Sequence, residues 1–178
     1  ISNYPERIKY PGCILDKKWD SRLLRFVYYH LNSAKQDLYI NIKVKNNSKK
    51  PAYIKVINAV AGPSIDGLYA GHKATKRFFK EIINDNSRKV RIEPGVTAQL
   101  AYHVLKPEKV SAGIYDLENL SGSDLDFKAF IIDPNFSHVS GLNDEYEKDM
   151  YMPGCFDSFE KEMVVDYECS PLVKEVPV

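Results

Sequence analysis

The chain has 178 residues, 25 basic against 24 acidic, for a formal net charge of +1. An apolar content of 44% supports a buried core and excludes wholesale disorder, and the balanced charge argues against a nucleic-acid binder held by bulk electrostatics. No apolar run approaches the ~18 residues that a membrane-spanning helix needs, so no membrane insertion is expected.

Residues 1–10 contain Pro5, Glu6, Arg7 and Lys9 and do not read as a signal peptide. Residues 22–29 (RLLRFVYY) are β-branched and aromatic enough for a strand. Residues 38–45 (LYINIKVK) alternate without a fault: Leu38, Ile40, Ile42 and Val44 point one way, and Tyr39, Asn41, Lys43 and Lys45 the other. That is a strand with one wet face. The run from Asn46 to Pro51 reads as a turn and residues 52–60 as the returning strand of a hairpin.

A glycine-rich stretch follows, with Gly62, Gly67 and Gly71. Phe78, Phe79, Ile82 and Ile83 then form one apolar stripe of a helix over 72–84, expected to cap an open end of the domain. Residues 88–93 form a short strand ended by Pro94-Gly95. Residues 96–105 alternate, with Val96, Ala98, Leu100, Tyr102 and Val104 facing the core and His103 facing solvent. Residues 110–116 and 125–132 complete the strand set. Strands spaced in this way around a single helix predict a mainly β sandwich rather than an α/β fold. Beyond Asp133 the texture turns polar; a late strand is expected over 159–167, and Pro171 and Pro177 make the tail extended. The domain reading is a β-sandwich over 1–135 with an N-terminal extension, and a C-terminal extension over 136–178 that packs on it and adds at most one strand.

The runs LYINIKVKNNSKKPAYIKV, VRIEPGVTAQL and VSAGIYDLENLSGSDLDFKAFI resemble the immunoglobulin-like modules of bacterial secreted and cell-surface proteins. The resemblance covers about residues 22–132. It implies an antiparallel sandwich built from successive hairpins, into which the 62–84 segment is inserted, and an extracytoplasmic or cell-surface setting with any export signal before Ile1. It implies architecture and no particular activity.

Motifs that would carry chemistry are few. Cys13, Cys155 and Cys169 form no Cys-x-x-Cys. Cys155 and Cys169 are spaced for a disulfide closing a loop of about 15 residues, worth about 3 kcal/mol; three buried thiols are the competing reading. His30, His72, His103 and His138 form no helical metal pair, and no histidine follows Cys155 or Cys169 as a blue-copper centre requires. No metal or cofactor is expected. There is no Gly-x-Ser-x-Gly elbow, Cys155 reads as structural, and Asp124 and Asp126 read as a solvated strand end rather than a calcium site.

The segment 62–77 is the expected working surface. Its glycines let backbone N–H groups approach a ligand, and it feeds a helix N-terminus flanked by cations. The candidate ligand-binding residues are Ser64, Asp66, His72, Lys73, Lys76 and Arg77. Expected partners are a protein, or an anionic or carbohydrate ligand. The anion is also available within the chain, since residues 144–168 hold nine acids against Lys148 and Lys161. Tyr39 and Tyr53 are placed on one hairpin as a face for sugar rings. The leading function is a non-catalytic binding or structural module of an exported bacterial protein. A carbohydrate-binding module is the first alternative, and an enzyme with its site around residues 62–77 the second.

Overall fold

A computed structural model describes residues 5–136. Its elements in order are β1 (Glu6–Ile8), β2 (Gly12–Trp19), β3 (Leu23–Asn32), β4 (Leu38–Asn46), β5 (Ala52–Ser64), α1 (Gly67–Ile83), β6 (Arg88–Ile92), β7 (Thr97–Leu105), β8 (Val110–Ser121) and β9 (Leu125–Ile132). Two sheets stack as a sandwich, one ordered β1-β3-β8-β5-β6 and the other β2-β9-β4-β7. The mainly β sandwich with one helix is therefore as the sequence predicts.

The connectivity has a simple rule. β2 pairs with β9, β3 with β8, β4 with β7 and β5 with β6, all antiparallel. The chain from β2 to β9 is one long hairpin, folded over so that β4 also meets β9 and β5 also meets β8. This nesting is the strand connectivity of a jelly roll. The successive hairpins implied by the immunoglobulin-like resemblance do not form. β4 and β5 lie in opposite sheets, as do β6 and β7, and among the described residues only the strands β5 and β6 are both consecutive and hydrogen-bonded. Turn composition at 46–51 and 94–95 signals a reversal of the chain; whether it returns in the same sheet or crosses to the other is decided by what covers the apolar faces.

Two buried asparagines hold these crossings. Asn46, fully buried at the end of β4, donates from Nδ2 to Lys50 O and Ile92 O at 2.8 and 2.9 Å, while its Oδ1 accepts from Ser48 N at 3.0 Å. Asn32, fully buried at the end of β3, repeats the pattern: Nδ2 donates to Gln36 O and Leu105 O, and Oδ1 accepts from Ala34 N. Each side chain ties its own crossing to the strand end beside it.

The core lies between the sheets. Leu38, Ile40, Ile42 and Val44 are fully buried, with Trp19, Tyr115 and Phe127 among the largest enclosed side chains. Of the predicted inward row Val96, Ala98, Leu100, Tyr102 and Val104, one residue is buried. Leu100 is buried, but Val96 and Tyr102 are 46% and 43% exposed. Val96 lies before the strand begins at Thr97, and at Tyr102 the cause is a bulge: Ile42 faces Ala101 while Lys43 faces Gln99, leaving Leu100 as the extra residue. Beyond it the parity of β7 reverses, so Ala101 and Leu105 turn inward and Tyr102 turns out.

The helix also departs from expectation. It begins at Gly67, because the Asp66 carboxylate caps it by accepting from Tyr69 N at 3.0 Å. Its buried face is Ala70, Ala74 and Phe78, and it lies on the outer face of β5 and β8, where Ala74 meets Ala61, Ala112 and Tyr29. Phe79 and Ile83 stay 58% and 81% exposed, so the apolar stripe does not cap an end of the sandwich. Small residues win this face because they let the helix approach the sheet closely. No helix among the described residues is long and apolar enough to cross a membrane. The late strand over 159–167, the Cys155–Cys169 pairing and the docking of residues 144–168 lie outside the described residues.

Candidate functional site

The wet face of β4 forms the floor of a groove on the outer surface of the four-stranded sheet. Cross-strand register sets its rows. Asn41 stands between Phe130 of β9 and Tyr102 of β7, and Lys43 stands between Lys128 and Gln99. Lys45 stands between Asp126 and Thr97. At the apolar end Tyr39 stacks on Tyr102 with ring centroids 4.8 Å apart. The residues joining β1 to β2, those joining β3 to β4, and Asp133-Pro134 build the walls, enclosing about 1160 Å³.

The groove is cationic. Lys9, Lys35, Lys43, Lys45 and Lys128 line it against one carboxylate, Asp133. That carboxylate is occupied: its Oδ2 accepts from Gln36 Nε2 at 2.9 Å and its Oδ1 from Asn135 N at 2.9 Å. Lys43 and Lys128 are directly opposed, an arrangement that costs stability because like charges on one face repel. Lys128 is compensated by Asp16 at 2.7 Å, and this hydrogen bond raises its pKa. No acid lies within ion-pair distance of Lys43 or Lys45 among the described residues. Asn41, 6% exposed, has its Oδ1 buried with no hydrogen-bond partner.

The segment 62–77 is arranged differently. The Ser64 hydroxyl accepts from Asp66 N at 3.1 Å, and the Asp66 carboxylate is the helix cap. Lys73 Nζ donates to the Tyr69 hydroxyl at 2.9 Å, which lowers the Tyr69 pKa, and Arg77 donates to Val60 O at 2.7 Å. His72 and Lys76 are exposed on the helix. Four of the six candidate residues thus have their polar groups engaged within the helix or with the strand leading to it. Tyr39 and Tyr53 do not share a face, because β4 and β5 belong to different sheets. Asp124 sits in a turn with positive φ, 3.1 Å from Lys18, and Asp126 accepts from Asn47 Nδ2 at 2.7 Å.

The three histidines among the described residues are dispersed. His72 lies on the helix, and His30 is buried in the core and stacked on Tyr28. Its Nδ1 is 3.2 Å from Glu6 Oε2, within ion-pair reach but outside hydrogen-bond geometry. His103, expected in solvent, is turned inward by the β7 bulge and shares a 2.6 Å hydrogen bond with the Tyr115 hydroxyl. Burial pushes the His103 pKa down and the Tyr115 pKa up, so both are neutral at pH 7. His138 lies outside the described residues.

The groove was partly legible in sequence. Alternation marks Asn41, Lys43 and Lys45 as one outward row, and the same period marks Asp126, Lys128, Phe130 and Ile132. That these rows are neighbours follows only from the β4–β9 pairing. No protein-family model, curated protein or solved structure matches the chain.

Proposed function

We propose that this domain is a non-catalytic binding module whose working surface is the groove on the outer face of the four-stranded sheet. The observation that carries the reading is the row of Lys43, Lys45 and Lys128 set side by side on paired strands. Strand pairing holds the lysines together against their mutual repulsion, and an anion laid across them would relieve it. Residues on strands are also held more firmly than residues on loops, which reduces the ordering cost of binding. The extracytoplasmic setting expected from the sequence belongs to the same proposal.

The test compares the wild-type chain with two double variants, Lys43→Glu with Lys45→Glu, and Lys76→Glu with Arg77→Glu. Each is assayed for retention by immobilised polysaccharides and peptides of both charges. Loss of retention in the groove variant alone supports the reading. Loss in the helix variant alone would return the working surface to residues 62–77. Equal retention of all three would refute the groove.

A further inference from the structure

We propose that the groove takes an acidic glycan, a chain of hydroxyl-bearing rings that carries carboxylates. The inference rests on the groove being the working surface and adds the chemistry of what fills it. Three features of the groove converge on that chemistry.

The first is charge. Lys43 and Lys45 follow one another on the outward face of β4, with Lys128 beside Lys43, so cations recur along the strand at the two-residue period of about 6.6 Å. A ligand with anions repeated along its length matches that row. All five cations of the groove are lysines. The chain's +1 net charge gives no long-range pull toward a polyphosphate backbone.

The second is the orphan acceptor. Asn41 lies between the lysine row and the aromatic end, more than nine-tenths buried, with Oδ1 lacking a donor. A buried acceptor without a partner is costly, and the donor it lacks is one that a sugar hydroxyl supplies. A carboxylate brings no such proton, and neither does an apolar ligand.

The third is shape. Tyr10, Tyr102 and Phe130 line the same groove, with Tyr10 62% and Tyr102 43% exposed. Flat aromatic faces next to hydrogen-bonding groups suit rings whose faces are apolar and whose edges are polar. An acidic peptide would match the lysines and could donate a backbone N–H to Asn41, but it carries no rigid rings for the tyrosines.

The test uses the full chain and isothermal titration calorimetry with oligogalacturonate. Maltooligosaccharide, poly-L-glutamate and oligothymidylate are the comparison ligands. The expected result is oligogalacturonate binding that weakens as salt rises and exceeds binding of each comparison ligand. Lys43→Gln should weaken it at least about tenfold, as loss of a charge-assisted hydrogen bond does. Asn41→Leu should weaken it comparably without lowering the urea midpoint, whereas a purely structural asparagine would lower the midpoint. The helix variant Lys76→Glu with Arg77→Glu should bind as wild type. Poly-L-glutamate or oligothymidylate binding as tightly, and lost in Lys43→Gln, would overturn the glycan while leaving the groove as the working surface. Absence of oligogalacturonate binding overturns the glycan likewise. Binding that survives both groove variants and fails in the helix variant would overturn both readings together.

Discussion

His103 and Asn41 are the residues whose environments depart furthest from a strand's plain alternation of core and solvent. The His103 ring is turned inward against Tyr115, and burial holds its pKa below the ordinary histidine value of about 6.5. The folded state therefore prefers the neutral ring. Its contribution to stability is full above about pH 6.5 and declines as pH falls through the depressed folded value, because the unfolded chain takes up the proton first. Urea midpoints measured from pH 7.5 to 5 should fall more steeply in wild type than in His103→Gln, which keeps a hydrogen-bonding partner for Tyr115 but does not titrate. Parallel pH profiles for the two proteins would contradict this assignment. At Asn41 the structure leaves a buried acceptor without a donor, a cost of about 1–3 kcal/mol. Asn41→Leu should accordingly keep or raise stability in chemical denaturation. A loss of more than about 2 kcal/mol would show that the amide has a structural role. Neither environment is readable from composition. One depends on a bulge in β7, and the other on which strands flank β4.

At the scale of elements, the crossings and the helix show where local sequence stops deciding. Asn46 satisfies two carbonyls and one backbone N–H while fully buried. Asn46→Ala would leave Ile92 O and Ser48 N without this partner, while Lys50 O keeps the Ser48 hydroxyl, and a loss of about 2–3 kcal/mol is expected, read as a drop in the denaturant midpoint. Asn46→Asp should also destabilise, since a carboxylate has no proton to donate to Lys50 O and Ile92 O. Asn32→Ala should behave like Asn46→Ala, because its bonds repeat the pattern. The helix offers a sharper contrast. Phe78 is 4% exposed and Phe79 is 58% exposed, although the two are adjacent and both belong to the apolar stripe. Phe78→Ala is expected to cost about 3–5 kcal/mol and Phe79→Ala no more than about 0.5 kcal/mol. Equal costs at the two positions would contradict packing of the helix through the face of Ala70, Ala74 and Phe78. The stripe misled because it names the most apolar side of the helix, whereas the packed side is the one with the small residues, Ala70 and Ala74, that allow close approach to Ala61 and Ala112.

The nested pairing has consequences for the whole molecule. β2 and β9 are paired from Gly12 against Ile131 to Trp19 against Leu125, so the outermost pair joins residues more than 100 positions apart. Closing such long loops is entropically costly before the contacts form, and folding in the millisecond-to-second range is expected. Stopped-flow refolding complete within microseconds would contradict the nested order. The sequence by itself determined strands β3 to β9, the presence of the helix and the buried row of Leu38, Ile40, Ile42 and Val44, because alternation and helical period are local; β1 and β2 it left within an N-terminal extension. It also determined that Asn41, Lys43 and Lys45 share an outward row. The tertiary structure alone decided which strands lie next to one another, and hence that Lys128 stands beside Lys43, that Tyr39 and Tyr53 are separated, and that the wet face of β4 becomes a groove. The reason is physical. Backbone hydrogen bonding between strands is indifferent to sequence, so pairing is chosen by how all the apolar faces are covered at once. That choice is a property of the assembled sandwich that no single segment carries.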